Sequence, residues 1–315
     1  MSDQRNDFAD AVLLSVPSKR QRIENIKDVW ILRYIYLNGA IAIVAVFLIF
    51  LFLVKDALPM LKPTALGQFL TGKAWQPEFN VYGILPLLAG SIAVTLGSIV
   101  IAVPIGIACA VYIAEFAPNS IKGILKPTIE VLAGIPSVVI GFLGLTVAAP
   151  FIQQVFNLPT GLTAMTGSIM LAFMAMPTII SISEDAIVAV PGSYREASLA
   201  MGATHWETVR RILVPAAKSG IIAAVMLGIG RAIGETMTVL MVAGNASNLP
   251  EGVSGMLKYF LGPVRTMTAT IAMETGDAPQ YSMHYHALFA VGLSLFAITF
   301  MINLVADIVL RKERH

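Results

Sequence analysis

The sequence predicts an all-α membrane protein with six transmembrane helices, and three observations carry that prediction. Hydrophobic residues make up 57% of the 315 and charged residues only 13%, about half the charge of an ordinary soluble domain. Six apolar runs are each long enough, at about 20 residues, to cross a bilayer; they lie near 34–54, 84–113, 131–150, 167–190, 219–243 and 287–310. Lys and Arg then divide unevenly between the connections. The leader 1–33, the second-to-third and fourth-to-fifth connections and the tail together hold 15, against 5 in the other connections. A threefold excess is a positive-inside signal and puts both termini in the cytoplasm.

The first run begins near Tyr34 after a polar leader without a small-residue cleavage site, so it reads as a retained span. The outer segment 55–83 contains Gly67-Gln-Phe-Leu-Thr-Gly-Lys-Ala74, close to a nucleotide-binding loop. Ala74 stands where a Ser or Thr must hold magnesium, so the match is chance. The second run carries Pro104 and several glycines, which predict a tilt or kink. The third opens with Gly134-Ile-Pro-Ser137, where a broken backbone and a hydroxyl make Ser137 a pathway candidate or simply a kink.

The fifth run contains Arg231 and Glu235. An arginine at the centre of a membrane helix costs roughly 2.5 to 3.5 kcal/mol, so it needs a partner. At a spacing of four, Glu235 is within reach on the same helix face. Ala224, Gly228, Gly234 and Thr238 continue that face, and Gly230 with Gly234 forms a small-xxx-small pair. Two readings compete: a structural ion pair, or a transit site in which the guanidinium meets an oxyanion in a two-pronged geometry. For the second reading the pathway residues are Arg231, Glu235, Thr236, Thr238 and Ser137.

In the connection 191–218, Ser193 precedes Glu196 by three residues and Thr204 precedes Glu207 by three. Both pairs read as capping boxes, with Gly202 between them as a helix terminator. The prediction is two short helices bent at Gly202, the first over 194–201 and suited to a partner's groove. In the outer loop 244–286, residues 261–273 predict a short helix, while His284 and His286 read as ordinary loop residues rather than a metal site. Cys109 is alone, so no internal disulfide forms, and it reads as a small buried hydrophobe. A net charge of +2 does not point to nucleic acid.

Glu196-Ala-Ser, Gly202 and Ile212-Leu-Val-Pro215 resemble the EAA loop of membrane subunits of bacterial ABC importers, with Ser198 and Val214 as mild departures. The resemblance implies the type I (MetI-like) permease fold in the bacterial inner membrane. It also implies a coupling helix inserted into a separate ATPase subunit, with Tyr194, Arg195, Glu196, Ala197, Ala200, Gly202 and Thr204 as coupling residues. Gly230-Arg-Ala-Ile-Gly-Glu-Thr-Met237, Gly134-Ile-Pro-Ser137 and the last run resemble the phosphate-uptake permeases, closer to their C-type than their A-type subunit. By that likeness the chain is half of a heterodimeric channel surrounded by lipid. Its partners would be an A-type permease subunit, two ATPase subunits that use ATP and magnesium, and an external phosphate-binding protein. This chain itself would hold no cofactor. A permease for another oxyanion or a phosphonate, an ATPase-independent carrier and an intramembrane enzyme are the alternatives. The last lacks a nucleophile-base pair or a His-Glu-xx-His arrangement.

Overall fold

The computed structural model describes residues 19–250, 252 and 255–313; the first 18 residues of the predicted leader lie outside them. Two compact units emerge, 1–52 and 53–315. The first is the greater part of α1 (Lys19–Ala57), a helix whose residues Trp30 to Ile49 are exposed and mostly apolar, with the Arg33 guanidinium 5.9 Å from the centre of the Trp30 ring.

The second unit begins with α2 (Pro63–Thr71) and a two-stranded hairpin, β1 (Trp75–Gln76) and β2 (Val81–Tyr82), in which Trp75 faces Tyr82. The loop resembling a nucleotide site is therefore a helix running into a strand. A phosphate-binding loop needs the reverse order. The second span is α3 (Leu85–Val111), which continues through Pro104 and closes in a π turn, Tyr112–Phe116.

The third span differs from expectation. An amphipathic helix, α4 (Asn119–Ala133), comes first. The chain then breaks at 134–136 and resumes as α5 (Ser137–Leu143), a π turn and α6 (Ala149–Phe156). Pro136 sets this break, because its fixed φ suits a helix start and the residue before it is pushed out of the helical region. The fourth span, α7 (Ala164–Val188), is N-capped by Thr163, whose hydroxyl accepts from the Thr166 amide.

Residues 189–217 form an elbow of α8 (Gly192–Ala200), α9 (His205–Thr208), a π turn (Val209–Leu213) and α10 (Val214–Ala216). The elbow's second arm meets α11 (Lys218–Gly234) at 69°. The predicted fifth span is interrupted where α11 stops: Glu235 is extended, and a new helix, α12 (Met237–Val242), follows. A short helix, α13 (Met256–Phe260), precedes the stretch 261–273, and the helix predicted there forms over its later part as α14 (Met267–Glu274). The last span, α15 (Met283–Glu313), starts early enough to take His284 and His286 out of the loop.

Two ends of this unit result. One holds the hairpin and residues 244–282; the other holds the elbow. Between them α3 packs on α7 through Ala102, Ala172, Ala175 and Ile179. Small side chains let the backbones approach, and van der Waals contact then holds spans that the hydrophobic effect does not drive together in lipid. Gly228 of α11 joins the same seam, since a Cβ there would meet Ile179 at 2.6 Å. Gly230 and Gly234 do not: a Cβ on either would meet nothing within 4 Å.

At the hairpin end the carboxylate of Glu274 accepts from Trp75 Nε1 at 3.0 Å and Arg265 Nη1 at 2.6 Å, and lies 2.9 Å from His284 Nε2. Arg265 Nε donates to the Asn245 carbonyl at 2.9 Å. His284, read from sequence as an ordinary loop residue, thus has a carboxylate partner, because α14 brings Glu274 to it.

Candidate functional site

Two helix breaks meet within the second unit. α11 carries Arg231 about 20 Å from its start at Lys218, on a rise of about 1.5 Å per residue. There, in the last turn, a cation sits favourably against the helix's negative end. The guanidinium is part-buried and makes two hydrogen bonds, Nη1 to Thr178 Oγ1 at 3.2 Å and Nη2 to the Ala133 carbonyl at 3.3 Å. Ala133 ends α4, so its carbonyl is one that a helix leaves without an internal partner.

Glu235 is not the partner of Arg231. The helix stops one residue before it, so the four-residue spacing no longer places the two side chains on one face. Glu235 Oε1 instead accepts from the Thr238 amide at 3.2 Å, satisfying the start of α12, while its carbonyl accepts from Thr268 Oγ1 at 3.0 Å. Thr238 Oγ1 donates to the Ser137 carbonyl at 2.9 Å and ties the second break to the first. Ser137 thus contributes its backbone here. The Thr236 hydroxyl bonds back to the Gly234 carbonyl, at 3.3 Å. Gly141 allows α5 and α12 to lie this close, since a Cβ there would meet Met241 Sδ at 2.8 Å and Thr238 Cα at 3.2 Å.

The structure therefore joins Arg231 to the third-span break through Ala133 and joins Thr238, whose amide Glu235 holds, to Ser137 across the two breaks, and it adds Thr178 and Thr268. Thr178 follows Pro177 within an apolar run, which is the signal that could have marked it. α4 is held beside this site by Lys126, whose Nζ lies 2.7 Å from Glu184 Oε2 and 2.9 Å from Asp185 Oδ1. Hydrogen bonds to those two carboxylates push the Lys126 ammonium above its ordinary pKa.

The elbow forms the second candidate site. Gly202 has φ +84° and ends α8 as expected: its amide bonds to the Leu199 carbonyl and the Ala203 amide to the Ser198 carbonyl, the paired closure of a Schellman motif. Thr204 and Glu207 form the predicted capping box, with the Thr204 amide donating to Glu207 Oε2 at 3.0 Å. That amide, and then the Thr204 hydroxyl, lower the Glu207 pKa. Ser193 caps nothing. Pro191 is the N-cap and α8 starts at Gly192, so Ser193 is already inside the helix.

Tyr194, Glu196, Ala197, Leu199, Ala200 and Met201 are exposed on this arm. Ser198, a departure from the EAA pattern, points the other way and hydrogen-bonds Thr208 Oγ1 at 2.9 Å across the bend. Arg195 does not face outward either: it pairs with Glu115 of the α3 π turn. That extra turn of the second span is where its excess length goes.

Residues 102–315 match the family described as binding-protein-dependent transport system inner membrane component. Over 240 residues the chain is 44% identical to the probable ABC transporter permease protein YqgH of Bacillus subtilis, covering 76% of this chain and 75% of that one. It is 35% identical over 264 residues to the phosphate transport system permease protein PstC of Mesorhizobium japonicum, covering 78% of each. It is similar in fold to a chain of a bacterial alginate ABC transporter (TM-score 0.61, 16% identity, 92% of this chain and 96% of that one). It is similar also to a chain of the inward-facing MetNI methionine ABC transporter (TM-score 0.57, 18% identity, 76% of this chain and 99% of that one). With its broken spans and its bent EAA-like elbow, the chain belongs to the binding-protein-dependent inner membrane components, as a permease subunit of an ABC importer.

Proposed function

We propose that this permease subunit carries phosphate, as one half of a pathway completed by an A-type permease subunit. An external phosphate-binding protein delivers the anion, and two ATPase subunits that use ATP and magnesium supply the energy. The elbow end faces the cytoplasm, in line with the Lys and Arg bias, and the exposed face of α8 enters the ATPase. The likeness to PstC of Mesorhizobium japonicum supports the substrate.

The observation that carries the reading is the setting of Arg231 where two broken spans meet, resting on two neutral oxygens. Irregular backbone is tolerated at membrane depth where it lines a path or is covered by protein. A guanidinium held by a hydroxyl and a carbonyl is not neutralised. An arriving phosphate replaces bonds to neutral oxygens with bonds in which both partners are charged, and does not have to displace a carboxylate first. On departure Thr178 and the Ala133 carbonyl take the guanidinium back, which keeps capture brief enough for release.

The test is uptake of inorganic phosphate by the assembled transporter carrying Arg231→Gln. Uptake is expected to fall at least tenfold while the ATPase stays bound; wild-type uptake removes Arg231 from the path. Competition by sulfate and by a phosphonate separates phosphate from its relatives, since a rival that is transported better than phosphate replaces it as the substrate.

A further inference from the structure

Glu115 ends the second span, and its side chain is 3% exposed. A carboxylate this buried is costly unless both oxygens are satisfied. Arg195 satisfies both: Nη2 donates to Oε1, and Nε donates to Oε2 at 3.2 Å. The Glu115 carbonyl lies 3.2 Å from His205 Nε2. The neighbouring ring of Phe116 stands edge-on to His205 at 5.0 Å and 6.1 Å from Trp206. Two consecutive residues of the π turn that closes the second span therefore hold both arms of the elbow, Arg195 in α8 and His205 with Trp206 in α9. The chain connects the elbow directly only to α7 and α11; this contact adds a third span. It depends on the π turn at Tyr112–Phe116, because a π turn carries an extra residue and rotates the residues after it by roughly 100°.

We infer that Glu115 is a positioning residue for energy coupling: it makes the cytoplasmic end of the second span move with the elbow when the ATPase pulls on α8. The inference rests on the reading that α8 docks the ATPase. A bidentate, buried ion pair suits this task, since it resists both rotation and sliding in a way that a single hydrogen bond does not.

The test uses the complete transporter, with binding protein and ATPase, in proteoliposomes, and compares Glu115→Gln, Glu115→Ala and the exchange Glu115→Arg with Arg195→Glu. Two quantities are read: inorganic phosphate transported per ATP hydrolysed, and the ATP-induced change in distance between spin labels at Val100 and at Arg210, an exposed residue of the elbow outside α8, in a Cys109→Ala background. The second does not depend on what is carried. Glu115→Gln is expected to retain the ATPase on purification, lower the transport ratio about tenfold, within the usual range of coupling strengths, and make the two labels separate on ATP binding. The exchange is expected to recover most of both.

A wild-type ratio with an unchanged label distance in Glu115→Gln overturns the inference. So does an exchange that recovers neither, or a loss of ATPase binding in parallel with transport, which marks a merely structural contact. Should Glu115→Ala fail to fold, the glutamine variant and the exchange still decide. The underlying docking reading fails separately, if Ala197→Arg on the exposed face of α8 leaves ATPase binding intact.

Discussion

Thr238 donates its hydroxyl to the Ser137 carbonyl at 2.9 Å, across 101 residues of sequence, and so fastens the break in the fifth span to the break in the third. Thr238 is fully buried, and its amide is held by Glu235. Replacing it with valine keeps the shape and removes the bond. Thr238→Val is expected to lower stability by about 1 to 2 kcal/mol, read as a lower denaturation midpoint in detergent. A midpoint equal to wild type removes the bond's structural importance.

Thr178 predicts the opposite sign at the neighbouring site. Its hydroxyl only parks the guanidinium, and a hydrogen bond with a charged partner contributes about 1.5 kcal/mol or more. Thr178→Val should therefore make anion capture easier. The apparent KM for phosphate is expected to drop about tenfold with kcat reduced, as release slows. A raised KM would instead mean that the hydroxyl contacts the anion.

Gly202 governs the bend. At φ +84° a β-branched residue costs about 1 to 2 kcal/mol and the Schellman closure opens. Gly202→Val is expected to insert normally yet lose uptake and hold the ATPase more weakly, whereas Gly202→Asn, tolerant of that conformation, should retain both. Equal behaviour of the two variants would mean that the bend does not depend on this residue.

The cap of α9 has a pH signature. Its hydrogen bonds lower the folded pKa of Glu207 below the ordinary 4.5. A depressed carboxylate stabilises above the unfolded value and loses that contribution as pH falls through the folded one. Amide exchange at residues 204–208 is therefore expected to quicken as pH drops below about 4.5, after correction for intrinsic rates. In Thr204→Ala this pH-dependent part should vanish.

Glu274 anchors the hairpin end. Removing it leaves Arg265, its side chain 18% exposed, without a counter-charge and Trp75 Nε1 without an acceptor. Glu274→Ala is expected to destabilise by roughly 3 kcal/mol, visible as early melting of tryptophan fluorescence. Unaltered melting would show that this cluster is only decorative.

The span count and the elbow were legible because both are written in local pattern. Apolar run length reports a membrane crossing, and Thr204-x-x-Glu207 with Gly202 reports a capped bend. The pairing of Arg231 with Glu235 was a misreading, because a four-residue spacing means proximity only while the helix continues. A glycine-rich stretch ending at Gly234, followed by Thr236, is where it stops. Ser193 failed as a cap for a related reason: Pro191 starts α8 earlier than the serine suggests. Thr178 lies 53 residues from the Arg231 it holds, and Glu115 lies 80 from Arg195. No local pattern carries such distances, so these partners appear only when spans are packed. His284 was hidden in the same way, since its carboxylate comes from α14.

The bond between Ser137 and Thr238 also sets a schedule for the newborn protein. At about 5 to 20 residues per second of synthesis, the third span waits roughly 5 to 20 seconds after emerging before the ribosome has made the threonine that completes it. Throughout that interval its interrupted backbone needs water or a helper at the insertion site, so this span should not be released into lipid ahead of the fifth.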